Sequence, residues 1–217
     1  MREKQLDPRL EAAAEMFPRV HVGADIGADH GYLTHALLTR GIADRMWVTD
    51  ISAPSLEKAR RLMAQSGLSG RVCFGAGDGF LPVGEPVEAA AILGMGGVTI
   101  RNILTEQAHL LRGCALVLSA NSGITSLRRT LMELGYRIER ERMTEAGGHF
   151  YPVLLARYGE GTAYTEKELA LGPVLLKKPF DDVYRRYLQK KALDWAAERG
   201  PAGEEKRQWI REELDDA

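Results

Sequence analysis

The chain of 217 residues has only two cysteines and five histidines, and its formal net charge at pH 7 is −1. Cys73 and Cys114 lie in separate apolar segments, RVCFGAG and GCALVLS, which favours two buried thiols in a reducing compartment over a disulfide framework. The near-zero net charge excludes a basic field over the whole surface, so a nucleic-acid partner would need a local patch. The scattered histidines and distant cysteines give no spacing typical of a metal site.

Long apolar segments are also missing. No apolar run approaches the roughly 20 residues that span a bilayer, and the N-terminal sequence MREKQLDPRLEAAAEMF lacks the apolar core of a signal peptide. The chain contains neither an internal repeat nor a low-complexity tract. Its 45% hydrophobic and 27% charged residues are ordinary for a folded soluble protein, and we expect a cytoplasmic protein without a membrane partner.

Strand and helix patterns alternate along the first 160 residues. Apolar periodicity predicts a short helix at residues 6–17 and later helices at about residues 30–40, 53–65, 98–111 and 124–134. The intervening predicted strands are RVHVGADI, RMWVTDI, RVCFGAG, VEAAAILGMG and CALVLSA. The segment YRIERERMTEAGGHFYPVLLARYG has two alternating patterns around Gly147-Gly148, which predicts a hairpin. The fold class is therefore α/β, with a mostly parallel sheet, a terminal antiparallel hairpin and helices on both faces.

The remainder of the chain reads as helical and charged, so we expect two domains, 1–160 and 161–217. A buried helical face is predicted from the spacing of Phe180, Val183, Tyr184, Tyr187, Leu188 and Leu193. A break at Gly200-Pro201 precedes a last predicted helix at residues 204–214. The two long helices are expected to pair as an antiparallel, coiled-coil-like hairpin.

The first predicted strand leads into the loop GADIGADHG at residues 23–31, which contains Asp25 and Asp29. Ligands of an open parallel sheet bind beyond the carboxyl ends of the strands, which makes this loop the candidate site. A dinucleotide loop has the pattern G-x-G-x-x-G and holds a pyrophosphate. Here each carboxylate would face that pyrophosphate at a cost of roughly 4 kcal/mol at about 4 Å. A ligand with a cationic end and no phosphate, such as S-adenosylmethionine, is favoured over a dinucleotide.

Acidic residues at three successive strand ends fit the parts of that ligand. Asp25 could hold the ammonium group, and Asp50 at the end of the second strand suits two ribose hydroxyls. Asp78 could accept a hydrogen bond from the adenine amino group, while the Gly79 amide donates to a ring nitrogen.

Structural alternatives remain open for some of these residues. Asp29 could cap the following helix, and so could Asp50, although Ser52 could serve as that second cap instead. Met95, in ILGMGG at the end of the fourth strand, could pack on a flat ring or belong to the core.

The motifs ADIGADHGYL, AILGMGG and GGHFYPV, with the opening LDPRLEAAAEMF and the tail segment LGPVLLKK, resemble class I S-adenosylmethionine-dependent methyltransferases. More narrowly, they resemble the bacterial tRNA (adenine-22-N1)-methyltransferase family, TrmK, over nearly the whole chain. The resemblance implies a Rossmann-like domain, a C-terminal helical hairpin, S-adenosyl-L-methionine as cofactor and tRNA as partner, methylated at N1 of a D-loop adenine. The chain departs from the family at two places. Ser119 and Ala120 replace a Gln-Pro pair before Asn121, and Pro152 replaces an acidic residue after Tyr151.

The resemblance also assigns roles to individual residues. We expect cofactor contacts from Asp25, Gly27, Asp29, His30, Asp50, Ile51, Asp78, Gly79, Gly94, Met95 and Gly96. Asp29 is the expected catalytic residue, because its carboxylate could accept a hydrogen bond from the amine beside N1 and stabilise the cationic product. Asn121 could bind the base edge, and Tyr151 or His149 could stack on the base. Strand-edge packing is the alternative for these two rings.

Binding of RNA phosphates requires cations. Residues 177–191 carry six lysines and arginines against two aspartates, and Lys177, Lys178 and Arg185 are the expected phosphate contacts. A basic rim around the site could add Arg9, Arg101, Arg128 and Arg129. The alternative is a solvated helix face with intrahelical ion pairs.

Two other functions stay open on the sequence alone. One is methylation of another RNA or of a small molecule, and the other is a cofactor-binding RNA module without turnover. We expect a monomer or a weak dimer.

Overall fold

The computed structural model describes residues 6–159 and 161–215. Its centre is a seven-stranded sheet of order β3-β2-β1-β4-β5-β7-β6. The strands are β1 (Val20–Ile26), β2 (Ala43–Asp50), β3 (Val72–Ala76), β4 (Ala89–Met95), β5 (Ala115–Ala120), β6 (Tyr136–Ala146) and β7 (His149–Tyr158). Strands β1 to β5 pair in parallel, while β7 is antiparallel to β5 and to β6. The predicted α/β class and terminal hairpin are confirmed.

Eight α-helices are present in the described part of the chain. They are α1 (Pro8–Met16), α2 (Tyr32–Thr39), α3 (Ala53–Gln65), α4 (Gly97–Glu106), α5 (Ile124–Glu133), α6 (Glu166–Leu171), α7 (Asp182–Ala196) and α8 (Pro201–Asp215). Helix α4 ends before its predicted end, because a separate 3₁₀ turn forms at Ala108–Leu110. Helix α8 begins at Pro201 rather than at residue 204, since proline fits the first turn of a helix.

The helices cover both faces of the sheet. Helices α1, α2 and α3 contribute apolar side chains such as Met16, Leu37 and Met63 to one core cluster. Helices α4 and α5 contribute Ile100 and Leu127 to a second core cluster, which contains a different set of strand side chains. The central strands are therefore buried on both sides, which is why β4 and β5 read as continuous apolar runs instead of alternating ones.

Helix α7 packs on the hairpin, and α8 packs on α7. Tyr187 of α7 lies 5.9 Å from Phe150 of β7, measured between ring centres. Trp195 of α7 meets Trp209 of α8 edge to face at 6.5 Å. The predicted burial of Leu193 is wrong, since 76% of it is exposed. Trp195 is buried instead. It lies about two helical turns after Leu188 and therefore on the same buried face, whereas residue 193 lies on the outer face.

The predicted domain boundary falls at residue 160, which lies outside the described residues, and the division of the chain there stays a prediction.

Cys114 is buried and Cys73 is half-buried, and both are free thiols. Burial raises the pKa of the Cys114 thiol to about 12. Within residues 6–159 and 161–215, no helix is long and apolar enough to cross a bilayer, and no three metal-binding side chains are grouped.

Candidate active site

A cleft of about 570 Å³ lies at the carboxyl ends of β1, β2 and β4. This volume is typical of small-molecule sites. The predicted cofactor residues that line it are Asp25, Gly27, Asp29, His30, Asp50, Ile51, Asp78, Gly79, Gly94 and Met95. Gly96, also predicted, lies just beyond as the N-cap of α4. The structure thus brings four carboxylates, those of residues 25, 29, 50 and 78, to the wall of one cleft.

Asp25 is the most deeply placed of these acids. Only 4% of it is exposed, and its Oδ2 atom accepts a hydrogen bond of 2.8 Å from the Thr34 hydroxyl. Burial raises the pKa of Asp25 to about 6, with a smaller contribution from the negative charge of Asp50. An ionised carboxylate in this position is unfavourable unless a cation accompanies it. A positively charged ligand group beside Asp25 would therefore stabilise the ionised carboxylate.

Asp29 adopts an unusual backbone conformation at the mouth of the cleft. Its φ of +46° makes it the one non-glycine residue with positive φ in the described chain, a conformation that often marks a functional constraint. Its Oδ1 atom accepts a hydrogen bond of 3.2 Å from the Ser55 hydroxyl, and its Oδ2 atom contacts His30 Nδ1. The capping alternative is wrong for Asp29, because the N-cap of α2 is Gly31, without a side-chain cap.

Asp50 connects the loops that follow β1 and β2. Its Oδ2 accepts a hydrogen bond of 3.2 Å from the Asp29 amide, and its Oδ1 accepts one of 2.8 Å from the Ser52 amide. Ser52 is the N-cap of α3, so the capping alternative is also wrong for Asp50. The next residue, Ile51, is 79% exposed. This leaves an apolar side chain at the cleft where a flat ring could cover it.

The floor of the cleft depends on two glycines. Gly27 has a φ of +67°, and a Cβ atom there would lie 2.0 Å from Met95 Cε. Gly94 has a φ of +78° and lies where the pairing of β4 with β5 shifts register. Met95 both lines the cleft and packs against the core, so its two alternatives are compatible. A larger residue at position 27 would therefore clash with Met95.

Gln107 supports the opposite wall and was missed by the sequence analysis. Its buried side chain accepts a hydrogen bond of 2.6 Å from the Phe80 amide and donates one of 3.4 Å to the Asp78 carbonyl. Thr49 donates a hydrogen bond of 2.9 Å to the Gly79 carbonyl. A polar side chain among the apolar positions of ILTEQAHLL was the available signal for Gln107.

Three predicted substrate residues meet beside the cleft. Arg9 Nη1 donates a hydrogen bond of 2.9 Å to Asn121 Oδ1, and the Arg9 guanidinium lies 4.9 Å from the centre of the Tyr151 ring. Asn121 Nδ2 donates a hydrogen bond of 2.6 Å to the carbonyl of Gly94, a cleft residue. The Arg9 Nε atom is buried without a hydrogen-bond partner. Arg9 therefore has an unused donor at the edge of the cleft.

A second cavity of about 410 Å³, called the hairpin groove below, lies between β7 and α7. His149 and Tyr151 form part of its wall, with ring centres 6.4 Å apart. The full lining consists of Asn121, His149, Phe150, Tyr151, Tyr187, Lys190, Lys191 and Asp194. Because Asn121 belongs to this lining and bonds to Gly94, the groove adjoins the cleft.

A family model described as tRNA (adenine(22)-N(1))-methyltransferase, TrmK, matches residues 23–216. The chain belongs to this family. The tRNA (adenine(22)-N(1))-methyltransferase of Bacillus subtilis strain 168 is 33% identical over 184 residues, which cover 83% of this chain and 76% of that protein.

Solved structures agree with this membership. Streptococcus pneumoniae Sp1610, crystallised in complex with S-adenosyl-L-methionine, superposes with a TM-score of 0.89 at 27% identity, over 97% of this chain and 100% of that one. The crystal structure of the Bacillus subtilis m1A22 tRNA methyltransferase TrmK has a TM-score of 0.80 at 25% identity, over 97% and 96% of the two chains.

The departures from the TrmK pattern fall mostly on buried positions. Ser119 and Ala120 lie in β5 and are 0% and 3% exposed, whereas Asn121 reaches the surface beside the cleft. Pro152 is buried within β7, paired with Met143. The residue of this segment that is exposed, Asn121, is thus the one that the chain retains.

Arg128 corrects the predicted basic rim of this TrmK-family protein. It is 1% exposed, and its Nε donates to Glu141 Oε1 at 2.8 Å. Its Nη1 donates to the Leu169 carbonyl at 2.9 Å. Arg128 therefore joins α5, β6 and α6 inside the protein and cannot contact RNA. Its neighbour Arg129 is only half-buried and pairs with Glu166 at 2.6 Å.

The other predicted RNA contacts lie on the C-terminal segment. Lys177 and Lys178 are exposed between α6 and α7, and Arg185 Nε donates to the Phe180 carbonyl at 3.4 Å. The linings of the cleft and of the hairpin groove do not include these three described residues, and their RNA contacts stay predictions. The alternative of intrahelical pairing holds for Lys190, which lies 3.3 Å from Asp194.

Proposed function

We propose that the protein methylates N1 of adenine 22 in tRNA with S-adenosyl-L-methionine as the methyl donor. The observation that carries this proposal is the carboxylate-lined cleft, with Asp25 buried in it, in a chain of the TrmK family. The bound S-adenosyl-L-methionine in the Streptococcus pneumoniae neighbour supports the choice of cofactor.

The residues of the cleft fit S-adenosyl-L-methionine. Asp25 is buried with a raised pKa and would be stabilised by the ammonium group. Asp50 would accept hydrogen bonds from the ribose, and Ile51 would cover one face of the adenine ring. Asp78 and Gly79 would bind the adenine edge. When bound, the cofactor supplies an electrophilic methyl group on a positively charged sulfur.

Methylation of a ring nitrogen needs positioning more than acid–base chemistry. The N1 lone pair is already nucleophilic, so orientation supplies much of the acceleration. N1 lies on the Watson–Crick edge, and the target base must therefore leave its pair and stack to reach the cleft. Asn121 would bind that edge, and Tyr151 would supply a ring face next to it.

Asp29 is the proposed catalytic residue. Transfer of the methyl group leaves a positive charge on the adenine, and a nearby carboxylate stabilises that charge as it develops. In the structure the Asp29 carboxylate contacts Ser55 and His30, on the side of the cleft that holds Asp50. Contact with the substrate base therefore requires rotation of the Asp29 side chain.

Nucleoside analysis tests the proposed function. Purified protein is incubated with tRNA transcripts and methyl-labelled cofactor, and the digested RNA is analysed by mass spectrometry. We expect 1-methyladenosine, and its loss when adenine 22 is replaced by guanine but not when another D-loop adenine is replaced. Label in a different nucleoside or only in a small molecule would indicate another substrate. Cofactor binding by calorimetry with no transfer would indicate a binding module without turnover.

A further inference from the structure

The hairpin groove continues from the substrate end of the cleft. Asn121 forms part of its wall and is tied to the cleft through its hydrogen bond to Gly94. Arg9 lines the cleft and stacks on Tyr151, which lines the groove. A polymer whose target base enters the cleft would thus place an adjoining unit over the groove.

The groove combines aromatic faces with cations. His149 is exposed at the start of β7, and its ring is tilted by 56° from that of Tyr151. Lys190 and Lys191 supply two positive charges against the single carboxylate of Asp194 in the same lining. Ring faces beside cations are the features by which proteins bind single-stranded nucleic acids, since bases stack on the rings and phosphates pair with the cations.

Lys191 is the cation best placed for a phosphate. Its Nζ lies 5.6 Å from the ring centres of Tyr187 and of Trp195, and it has no ion pair among the described residues. Burial lowers the pKa of Lys191, and the positive charges of Lys190 and Lys206 add to this effect, whereas Asp194 and Glu198 oppose it. An anion in the groove would compensate this partly desolvated ammonium group.

We propose that the hairpin groove binds the nucleotide that adjoins the target adenine, with its base on His149 and its phosphate on Lys191. This proposal rests on the proposed function, because it takes the cleft as the site of the target base. Removal of that base from its stack leaves its neighbour without a stacking partner. The groove replaces the lost partner with a protein ring, which favours the open RNA conformation.

A cycle of protein and RNA changes tests the stacking contact. Fluorescence anisotropy measures the binding of labelled tRNA transcripts that carry an abasic nucleotide on the 5′ or the 3′ side of adenine 22. On one of the two sides, we expect the abasic change to weaken binding to the native protein about ten-fold. His149→Ala should cause a similar loss with the intact RNA and no further loss with that abasic RNA. His109→Ala, which changes an exposed histidine of the 3₁₀ turn, should have no effect.

Salt dependence tests the phosphate contact. Lys191→Met should make the negative slope of log affinity against log salt concentration shallower by about 0.7, the value for one phosphate contact on a single strand. Lys58→Met should leave the slope unchanged. Lys58 is an exposed residue of α3, a helix that contacts β3 at the sheet edge opposite to the hairpin. Calorimetry with S-adenosyl-L-methionine and thermal unfolding would verify that each variant is folded.

The outcomes separate this proposal from the proposed function. The groove proposal would be overturned if, for the abasic change on the 5′ side and also for that on the 3′ side, the loss of affinity multiplied with the loss from His149→Ala. An unchanged salt slope for Lys191→Met would also overturn it. Formation of 1-methyladenosine by the native protein would then leave the proposed function intact. Conversely, the expected coupling and slope with no methylation of tRNA would support the groove and reject the proposed function.

Discussion

Arg9 in α1 and Asn121 at the end of β5 are 112 positions apart in the chain, yet Arg9 Nη1 lies 2.9 Å from Asn121 Oδ1. The same guanidinium covers the ring of Tyr151. Arg9 thus contacts both side chains proposed to bind the target adenine. The N-terminal helix therefore belongs to the proposed substrate site, although it precedes the sheet and the glycine loop.

Arg9→Met is expected to raise the KM for tRNA about ten-fold while the affinity for S-adenosyl-L-methionine stays within two-fold of the native value. The change keeps an apolar side chain over Tyr151 but removes the cation and the unused Nε donor, and a charged hydrogen bond is worth about 1.5–3 kcal/mol. Steady-state kinetics and calorimetry measure the two quantities. Arg61→Met, at an exposed site on α3, is the control. A lower KM in Arg9→Met would mean that Arg9 only blocks access of the base.

Asp29→Asn is expected to reduce kcat about 100-fold, a loss typical for removal of a group that stabilises charge in the transition state. Asparagine tolerates the left-handed backbone at this position, so the variant isolates the loss of charge. Single-turnover methylation measures the rate, and calorimetry measures cofactor affinity, which should largely persist. Asp50→Asn should show the opposite pattern, with weak cofactor binding. Turnover of Asp29→Asn within three-fold of the native rate would reject Asp29 as the catalytic residue.

Asp25 should make the ligand-free protein less stable as the pH rises. Its pKa in the folded protein is about 6, against an ordinary value of 3.8 for an exposed aspartate, so the folded state binds the proton more tightly than the unfolded state. The free energy of unfolding should therefore fall between about pH 4 and pH 6, by up to about 3 kcal/mol. Asp25→Asn should remove this fall and raise the unfolding temperature at pH 7.5, measured by calorimetric scans.

The same variant should bind S-adenosyl-L-methionine poorly, because the ammonium group loses its carboxylate. In the native protein, cofactor affinity should rise as the pH increases through 6. Asp44→Asn, which alters an exposed surface pair with His21, should change neither cofactor affinity nor the unfolding temperature at pH 7.5. A fall in the unfolding temperature of Asp25→Asn at pH 7.5 would contradict the inference that the buried, ionised Asp25 carboxylate destabilises the ligand-free protein.

The adjacent arginines of α5 should differ sharply in their contribution to stability. Arg128→Met leaves the buried Glu141 carboxylate without its cation, which typically costs about 3–5 kcal/mol. Arg129→Met breaks a solvent-accessible pair with Glu166 and should lower the free energy of unfolding far less. Chemical denaturation measures both values. Equal effects of the two substitutions would show that Arg128 is not the structural link between α5, β6 and α6.

The sequence by itself determined the strand order along the chain, the hairpin and the acidic glycine loop. These features are local: apolar periodicity reports which face of a helix or strand is buried, and residues that follow parallel strands meet at one edge of the sheet. For this reason Asp25, Asp50 and Asp78 were predicted together, and the structure brings them to one cleft.

Tertiary structure decided which polar side chains are buried and which remain available to a substrate. Arg128 and Arg129 are neighbours of the same type, and only the position of Glu141 on β6 makes one of them internal. Likewise, Arg9 reaches Asn121, and Gln107 supports the loop at Asp78, through contacts between distant segments. The free energy of a charged or polar side chain depends on its partners and its exposure to water, and a sequence pattern specifies neither until the chain has folded.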